Sequence, residues 1–157
     1  MSLPTVALSL RQPWASIVLY LGKRIENRRW NTSFRGEFWI HAAKGMTNDE
    51  YESALEFAAD ALEMAKPILS YLDMKGVLAK DQLKRGGIVG RARLVGVIPP
   101  CTTGLFGGCE HTWHMPAQYG FVLEDVKAVA FVPMTGALGF HHVPKSVLEQ
   151  LEKAETP

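Results

Sequence analysis

The sequence predicts an α+β domain in which a small barrel of mixed strands carries flanking helices. Short apolar and β-branched segments recur at short spacing, which is typical of barrel strands. One long helical stretch interrupts them near residues 48–74. The sequence lacks the regular alternation of helix and strand that a doubly wound parallel sheet requires. With 157 residues, of which 47% are hydrophobic, the chain can bury a core without a structural metal.

The first third of the chain predicts two strands and a helix. Residues 6–10 are an apolar run that predicts a strand, and residues 37–42 predict a second one. Pro13 precedes apolar side chains at helical spacing, so we predict a helix over residues 12–21. Residues 23–30 are too charged for a core helix and predict an extended or turning segment.

The rest of the chain predicts a helical insertion at about 48–85 and then a group of strands. Thr47 or Asn48 can cap a helix that runs to about Met64, and Glu50 suits its N-terminal dipole. A weaker helical stretch follows to about residue 74, and residues 101–118 predict a loop. The other predicted elements are strands at 88–97, 119–123, 128–131 and 136–140 and a helix at 145–153.

Composition and charge exclude several classes of protein. A net charge of +1 and a high apolar content exclude a disordered chain. No apolar run approaches the ~18 residues of a transmembrane helix, so no membrane partner is expected. The N-terminal residues do not predict a signal peptide. Two cysteines predict free thiols in a reducing compartment, which indicates a cytoplasmic protein, and no cofactor is expected.

The charges are unevenly distributed along the chain. Residues 1–47 carry seven basic and two acidic side chains, a net charge of +5, with Trp14, Trp30 and Trp39 among them. Residues 48–73 carry one basic and seven acidic side chains, a net charge of −6, which predicts a solvated helix. Basic residues interleaved with tryptophans are typical of a site for nucleic acid or a nucleotide. A mixed surface with ordinary cation–aromatic contacts is the alternative.

Chemistry-bearing residues are densest in this basic first third. Lys23 and Glu26 are three residues apart beside a predicted helix end, where Glu26 can hold Lys23 in a cleft. A partly desolvated lysine has a lowered pKa and can act as a base or nucleophile, while a glutamate transfers protons. Arg28 can grip a phosphate, and Trp14 or Trp30 can stack on a base. A structural ion pair between Lys23 and Glu26 explains the same spacing.

Several ordered blocks of the sequence resemble the ASCH domain family. The blocks are LSLRQPWAS, LGKRIENRRW, GEFWIHAAK, YGFVLEDVKAV and PMTGALGF, which together extend over nearly the whole chain. The resemblance implies a PUA-like small mixed β-barrel, related in fold to an RNA-binding domain, as a single domain over residues 1–157. It also implies a cleft beside a Lys-x-x-Glu-x-Arg segment, here Lys23, Glu26 and Arg28, with RNA or a modified nucleoside as the partner.

The resemblance also implies two enzymatic alternatives, since one bacterial branch deacetylates acetylcytidine and at least one member is a ribonuclease. In the deacetylase branch a threonine stands where this chain has Glu26, and Glu124 is the candidate for that branch's distant glutamate. Amide hydrolysis would use Lys23 on a water or on the acetyl carbonyl. RNA cleavage would use Lys23 or Lys44 at the phosphate, with His41 or Glu26 as the base.

The expected function is recognition of RNA or a modified nucleoside in a basic, aromatic cleft, with hydrolysis as the alternative. For His41, a histidine whose hydrogen bonds are satisfied on a barrel strand is the alternative to a ligand contact. The catalytic candidates are Lys23, Glu26 and Lys44, and the ligand-binding candidates are Arg11, Trp14, Asn27, Arg28, Trp30 and His41.

A second group of candidate residues lies in the predicted loop 101–118. Cys101, Cys109, His111 and His114 carry the side chains of a tetrahedral zinc site. Their spacing lacks the close cysteine pair of the usual zinc fingers, and the resemblance implies no metal. Idle thiols and surface histidines are the alternative. A zinc-stabilised protein-interaction module is therefore a third hypothesis, separate from the basic cleft.

Overall fold

A computed structural model describes residues 2–65, 71–101, 109 and 111–156 of the chain. Strands and helices alternate irregularly along the described residues, and a short 3-10 turn, Lys80–Gln82, precedes the fourth strand. The elements are β1 (Val6–Leu10), α1 (Trp14–Tyr20), β2 (Ile25–Arg28), β3 (Gly36–Ala42), α2 (Asn48–Ala65), α3 (Tyr71–Val77), β4 (Gly87–Ile98), β5 (Tyr119–Pro133), β6 (Phe140–His142) and α4 (Lys145–Glu155).

The strands form one sheet in the order β2-β5-β4-β3-β1-β6. Neighbouring strands are antiparallel except β1 and β3, which run parallel with Ser9 opposite His41. Register shifts interrupt the pairing of the long strands β4 and β5, and such bulges bend strands. The sheet therefore curls into a half-barrel with helices packed on it, and the predicted α+β class is confirmed.

The two faces of the sheet bury separate apolar cores. Leu8 and Phe38 pack with Phe121 in one cluster, while Ala7 and Trp39 belong to another, which includes apolar side chains of α4. Successive residues of a strand point to opposite faces, so this division follows the alternation of β1 and β3. Each face of β1 and β3 therefore packs into an apolar cluster, whereas the middles of β4 and β5 carry exposed residues.

Helix α2 packs against other elements of the fold through one apolar face. Its predicted face is buried, at Ala54, Leu55, Ala58, Ala61 and Leu62. Met74 of α3 belongs to the same cluster. Residues 66–70, which include part of the predicted weaker helix, lie outside the described residues. No helix in the described part of the chain is long and apolar enough to cross a bilayer.

A capping box begins α2. The backbone N–H of Glu50 donates to Thr47 Oγ1 at 3.1 Å, and the N–H of Thr47 donates to Glu50 Oε2 at 2.7 Å. Of the two predicted caps, Thr47 therefore forms the cap. We expect Thr47→Ala to lower the free energy of unfolding by about 1 kcal/mol in urea titrations. Thr47→Ser keeps the hydroxyl and is the control, and equal losses in both variants would contradict the cap.

Within the predicted extended or turning segment 23–30, residues 25–28 form strand β2, because pairing with β5 satisfies the backbone and Glu26 lies between two cations. Two other segments differ from their predicted structure. Residues 119–133 form one strand instead of two, since a bulge with Asp125 at φ 50° keeps β5 paired through its polar middle. Strand β6 begins at Phe140, because Gly139 at φ 63° turns the chain just before it.

Candidate functional site

A cavity of about 1130 Å³ opens where β1 and β3 end. The two strands run parallel, so their carboxyl ends meet at one edge of the sheet. Segment 133–139, which leads from β5 to β6, closes the opposite side. The volume suits a ligand of nucleoside size or larger. The side chains that line the cavity from the strands include Ser9, Arg11, Arg28, Trp30, His41 and Lys44.

Three cations border this cavity, namely Arg11, Arg28 and Lys44. Arg11 Nη2 lies 2.7 Å from Glu50 Oε2, so an ion pair ties this arginine to the start of α2. Lys44 follows β3, and its carbonyl accepts a hydrogen bond of 2.8 Å from Arg85. The wall formed by these residues is positively charged and suits an anion such as a phosphate.

Trp30 supplies an aromatic wall beside the cations. Its ring packs edge to face against Phe121 and Phe140, with centroids 5.2 and 6.1 Å apart. The guanidinium carbon of Arg28 lies 6.0 Å from the Trp30 ring centroid. These contacts hold the indole in one orientation at the cavity. An aromatic ring held beside cations is the arrangement that stacks on a nucleobase while the cations contact its phosphate.

A buried row of charges lies beneath Arg28. Lys23 Nζ donates to Glu26 Oε2 at 3.0 Å and to the carbonyl oxygen of Ile25. Glu26 Oε1 lies 3.2 Å from Arg28 Nε. Arg28 Nη2 in turn donates to the carbonyl oxygen of Ser9 at 2.6 Å. Glu26 therefore bridges two cations, and the row holds Arg28 against the strand that forms one side of the cavity.

Lys23 lies in the interior, with 1% of its surface exposed, and it is not among the described residues that line the cavity. Burial lowers the pKa of Lys23, and the Glu26 carboxylate opposes that shift. In this structure Lys23 is connected to the cavity through Glu26 and Arg28, without facing it directly.

Three other candidate residues lie away from the cavity. The Trp14 ring packs against Phe57, with centroids 5.7 Å apart. Asn27 clamps segment 113–115, since its amide nitrogen donates at 2.9 Å and its amide oxygen accepts at 2.8 Å from that segment's backbone. Glu124 is exposed on β5. The structure therefore brings five predicted residues to the cavity wall, namely Arg11, Arg28, Trp30, His41 and Lys44.

His41 is buried at the cavity wall with both ring nitrogens in hydrogen bonds. Nδ1 lies 2.9 Å from Ser9 Oγ, and Nε2 lies 2.7 Å from the carbonyl oxygen of Met134. Burial lowers the pKa of His41, although the hydrogen bond to Met134 opposes that shift. His141 lies nearby, with ring centroids 6.1 Å apart, and lowers the pKa of His41 further. The imidazole is therefore neutral at neutral pH.

Sequence reasoning missed two parts of the site, Ser9 and segment 133–139. Ser9 is a polar residue inside the apolar strand run VALSL, and that interruption was the available signal. Its position opposite His41 depends on the parallel pairing of β1 with β3. The 25 residues between Leu10, where β1 ends, and Gly36, where β3 begins, carry no pattern that indicates this pairing. Segment 133–139 reaches the cavity because it leads from β5 to β6, which pairs with β1.

The lowered pKa of His41 predicts a pH dependence of stability. An unfolded histidine titrates near pH ~6.5, whereas the buried imidazole stays neutral below that value. The stability that neutral His41 contributes is therefore present above about pH 6.5 and is lost as the pH falls below it. We expect Tm to fall between about pH 7.5 and about pH 5.5, and to fall less in His41→Gln. Equal pH dependence of Tm in both proteins, measured by calorimetry, would contradict this assignment.

The cysteines and one histidine of loop 101–118 form a second polar cluster. The ligand atoms of Cys101, Cys109 and His114 all lie within 4.8 Å of one another, whereas His111 is exposed and outside the group. The two cysteines are paired as a disulfide, with Cα atoms 5.6 Å apart. The prediction of two free thiols was therefore wrong, because Cys109 folds back onto Cys101 across the eight-residue separation.

Comparison with known proteins shows that this chain is similar to one protein family over most of its length. The family model for the ASCH domain matches residues 8–132. Activating signal cointegrator 1 from Homo sapiens is 41% identical over 49 residues, and the Mus musculus protein of that name matches to the same extent. Each match covers 31% of this chain and 8% of the relative, so the chain corresponds to a small part of those proteins.

Proposed function

Because the chain belongs to the ASCH domain family, we propose that its cavity binds RNA or a modified pyrimidine nucleoside. The curled six-stranded sheet with its helices is the PUA-like α+β fold of that family, which belongs to an RNA-binding superfamily. Family membership supports RNA as the class of ligand. The cations and the tryptophan that line the cavity support it as the binding site.

One observation supports the proposal most strongly. A single cavity is lined by three cationic side chains and an aromatic ring, namely Arg11, Arg28, Lys44 and Trp30. Cations supply contacts to phosphate, and they are sequence-independent. The Trp30 ring supplies a stacking surface for one base, which must be unstacked from its neighbours to reach it. The combination therefore favours single-stranded RNA or a free nucleoside over a duplex.

Binding is tested by the fluorescence anisotropy of a labelled single-stranded RNA over a range of salt concentrations. The proposal predicts binding whose affinity falls as salt rises, because phosphate contacts release counterions. We expect Lys44→Ala to weaken binding and to reduce the slope of log Kd against log salt by about 1. Lys145→Ala, an exposed lysine on α4, is the matched control. Equal slopes in both variants would remove Lys44 from the interface.

The enzymatic alternative assigns catalysis to Lys23, Glu26 and Lys44 on the same ligand. Lys44 lines the cavity, and Glu26 forms an ion pair with Arg28, which also lines it. These positions support a role for both residues. The lowered pKa of Lys23 suits a base, provided that the ligand or a local rearrangement gives Lys23 access to the reacting group.

Acetylcytidine and labelled RNA are incubated with the protein in EDTA, with Lys23→Ala in parallel. Turnover that persists in Lys23→Ala excludes Lys23 from catalysis.

A second candidate function rests on the cluster of Cys101, Cys109 and His114. We propose that in the reduced chain the two thiolates and one imidazole hold zinc and stabilise the loop for contact with a protein partner. The contact of His114 Nε2 with the Gln118 carbonyl, at 2.6 Å, leaves Nδ1 as the nitrogen with a free lone pair. That is the tautomer a metal ligand needs.

Zinc content separates this candidate from a structural disulfide. The protein is reduced with a phosphine, loaded with zinc and dialysed to remove unbound metal. We expect it to retain one zinc ion per chain, measured by inductively coupled plasma mass spectrometry. Cys101→Ser is expected to lose it, whereas His111→Ala, outside the cluster, is expected to keep it. The zinc site would be contradicted if the reduced wild-type protein retains no zinc, or if Cys101→Ser retains it.

A further inference from the structure

Ser9 and His41 form a hydrogen-bonded pair that RNA binding does not require. They are directly opposite each other on the parallel strands β1 and β3, so their side chains share one face of the sheet. Ser9 Oγ lies 2.9 Å from His41 Nδ1. Ser9 and His41 both line the cavity, although His41 is 2% exposed. The hydroxyl that contacts the imidazole therefore borders the ligand space.

The hydrogen bond to Met134 determines which nitrogen of His41 carries the proton. A carbonyl oxygen only accepts, so His41 Nε2, at 2.7 Å from it, must carry the hydrogen. In the neutral ring Nδ1 is then unprotonated, and the hydroxyl of Ser9 is the donor in the other contact. The three groups therefore form one chain of hydrogen bonds. In it Ser9 has the position of a nucleophile, His41 that of the base that accepts its proton, and the Met134 carbonyl orients the base.

The backbone of the segment after β5 is fitted closely to this pair. A Cβ at Gly136 would lie 2.6 Å from His41 Cε1 and 2.9 Å from Ser9 Oγ, closer than real Cβ contacts. Glycine is therefore required where segment 133–139 passes the pair. Arg28 adds a cation next to the pair, because its Nη2 donates to the backbone carbonyl of Ser9 at 2.6 Å.

We propose that Ser9 is a nucleophile and His41 its general base, acting on a carboxylic ester or amide carried by the ligand in the cavity. This inference rests on the proposed function for the nature of the ligand, but the chemistry is carried by the Ser9–His41 geometry. Among the cations of the same cavity, Arg28 contacts the backbone of Ser9, and we assign to it the stabilisation of negative charge on the carbonyl oxygen.

The reaction balances within these groups and water. Ser9 Oγ bonds to the carbonyl carbon while its proton passes to His41 Nδ1. The bond from that carbon to the leaving nitrogen or oxygen then breaks, and the leaving group takes the proton from His41. The acyl group stays on Ser9 as an ester. Water attacks this ester and gives a proton to His41, which returns it to Ser9 as the carboxylic acid leaves.

A fluorophosphonate probe tests the nucleophile in the intact protein. We expect one covalent adduct that peptide mass spectrometry places on Ser9, no adduct in Ser9→Ala, and labelling slowed by about 100-fold or more in His41→Gln. Ser146→Ala, on the exposed face of α4, is the matched control and keeps the wild-type rate. No adduct on wild-type protein, an adduct elsewhere, or equal rates in His41→Gln and wild type would overturn the proposal.

A second measurement tests the tautomer of His41 on the wild-type protein alone, so it does not require that any variant folds. Long-range proton–nitrogen NMR spectra of the wild-type protein report the tautomer of each histidine. We expect His41 to be protonated on Nε2 and unprotonated on Nδ1 near neutral pH. A ring protonated on Nδ1 could not accept from Ser9 and overturns the proposal.

RNA anisotropy on the same protein separates this inference from the proposed function. Binding without labelling overturns the role of Ser9 alone. Labelling of Ser9 without binding of RNA or nucleoside supports the nucleophile and contradicts the proposed ligand.

Discussion

Replacing Glu26 by alanine is expected to lower the free energy of unfolding by about 3–5 kcal/mol. Lys23 is 1% exposed, and Glu26 is the carboxylate that faces its ammonium group at 3.0 Å. Without Glu26 the lysine is a buried charge that must stay unpaired or lose its proton, and both cost free energy. Urea titration of Glu26→Ala measures the loss, and Glu149→Gln on the exposed face of α4 is the control for a surface carboxylate.

A double variant distinguishes loss of the pair from loss of packing. Lys23→Met removes the charge that Glu26 neutralises, so Glu26→Gln should destabilise the Lys23→Met protein less than it destabilises the wild type. Additive losses in the double variant would show that the two side chains do not depend on each other. That result would contradict the buried row of charges as the support of Arg28.

Replacing Trp30 by leucine is expected to weaken binding of single-stranded RNA by about 5-fold to 100-fold. Leucine fills part of the space against Phe121 and Phe140 but offers no aromatic face for a base. The affinity should therefore fall while its salt dependence persists, because the cations of the cavity are unchanged. Anisotropy with the same labelled RNA measures both quantities.

Tyr20→Leu is the control for this variant, since Tyr20 is an aromatic residue on α1 that is 61% exposed and lies outside the cavity lining. Its RNA affinity is expected to equal that of the wild type. An affinity in Trp30→Leu that matches Tyr20→Leu would show that no base stacks on Trp30. Thermal unfolding of both variants shows whether the loss of affinity follows from a loss of folded protein.

The sequence predicted elements with a strong local pattern. The apolar run of β1, the amphipathic face of α2 and the proline-initiated α4 are all local signals, and the structure confirms them. Residues 23–30 predict an extended or turning segment, but the pairing of β2 was not predicted, because its residues are charged and its partner lies about 90 residues further along the chain in β5. Long-range pairing of this kind leaves no periodicity in the strand itself.

Residue type indicated several of the charged side chains that line the cavity, but not how they are arranged there. Arg28, Trp30 and Lys44 stood out by residue type, and the structure places all three at one cavity. Lys23 stood out for the same reason, yet it is buried beneath the cavity wall. Residue type indicates which chemistry is available, whereas strand register and sheet curvature decide which side chains face the ligand. Ser9 belongs to the second category, since only its register with β3 connects it to His41.

Mapping the RNA contact by NMR tests most directly whether the cavity is the binding site. A short single-stranded RNA is titrated into nitrogen-labelled protein, and the shifts of backbone and indole signals are followed. We expect the largest shifts to cluster at Trp30, His41, Lys44 and segment 133–139, with α4 unaffected. Shifts that cluster elsewhere on the protein, or no shifts at RNA concentrations far above that of the protein, would contradict binding in the cavity.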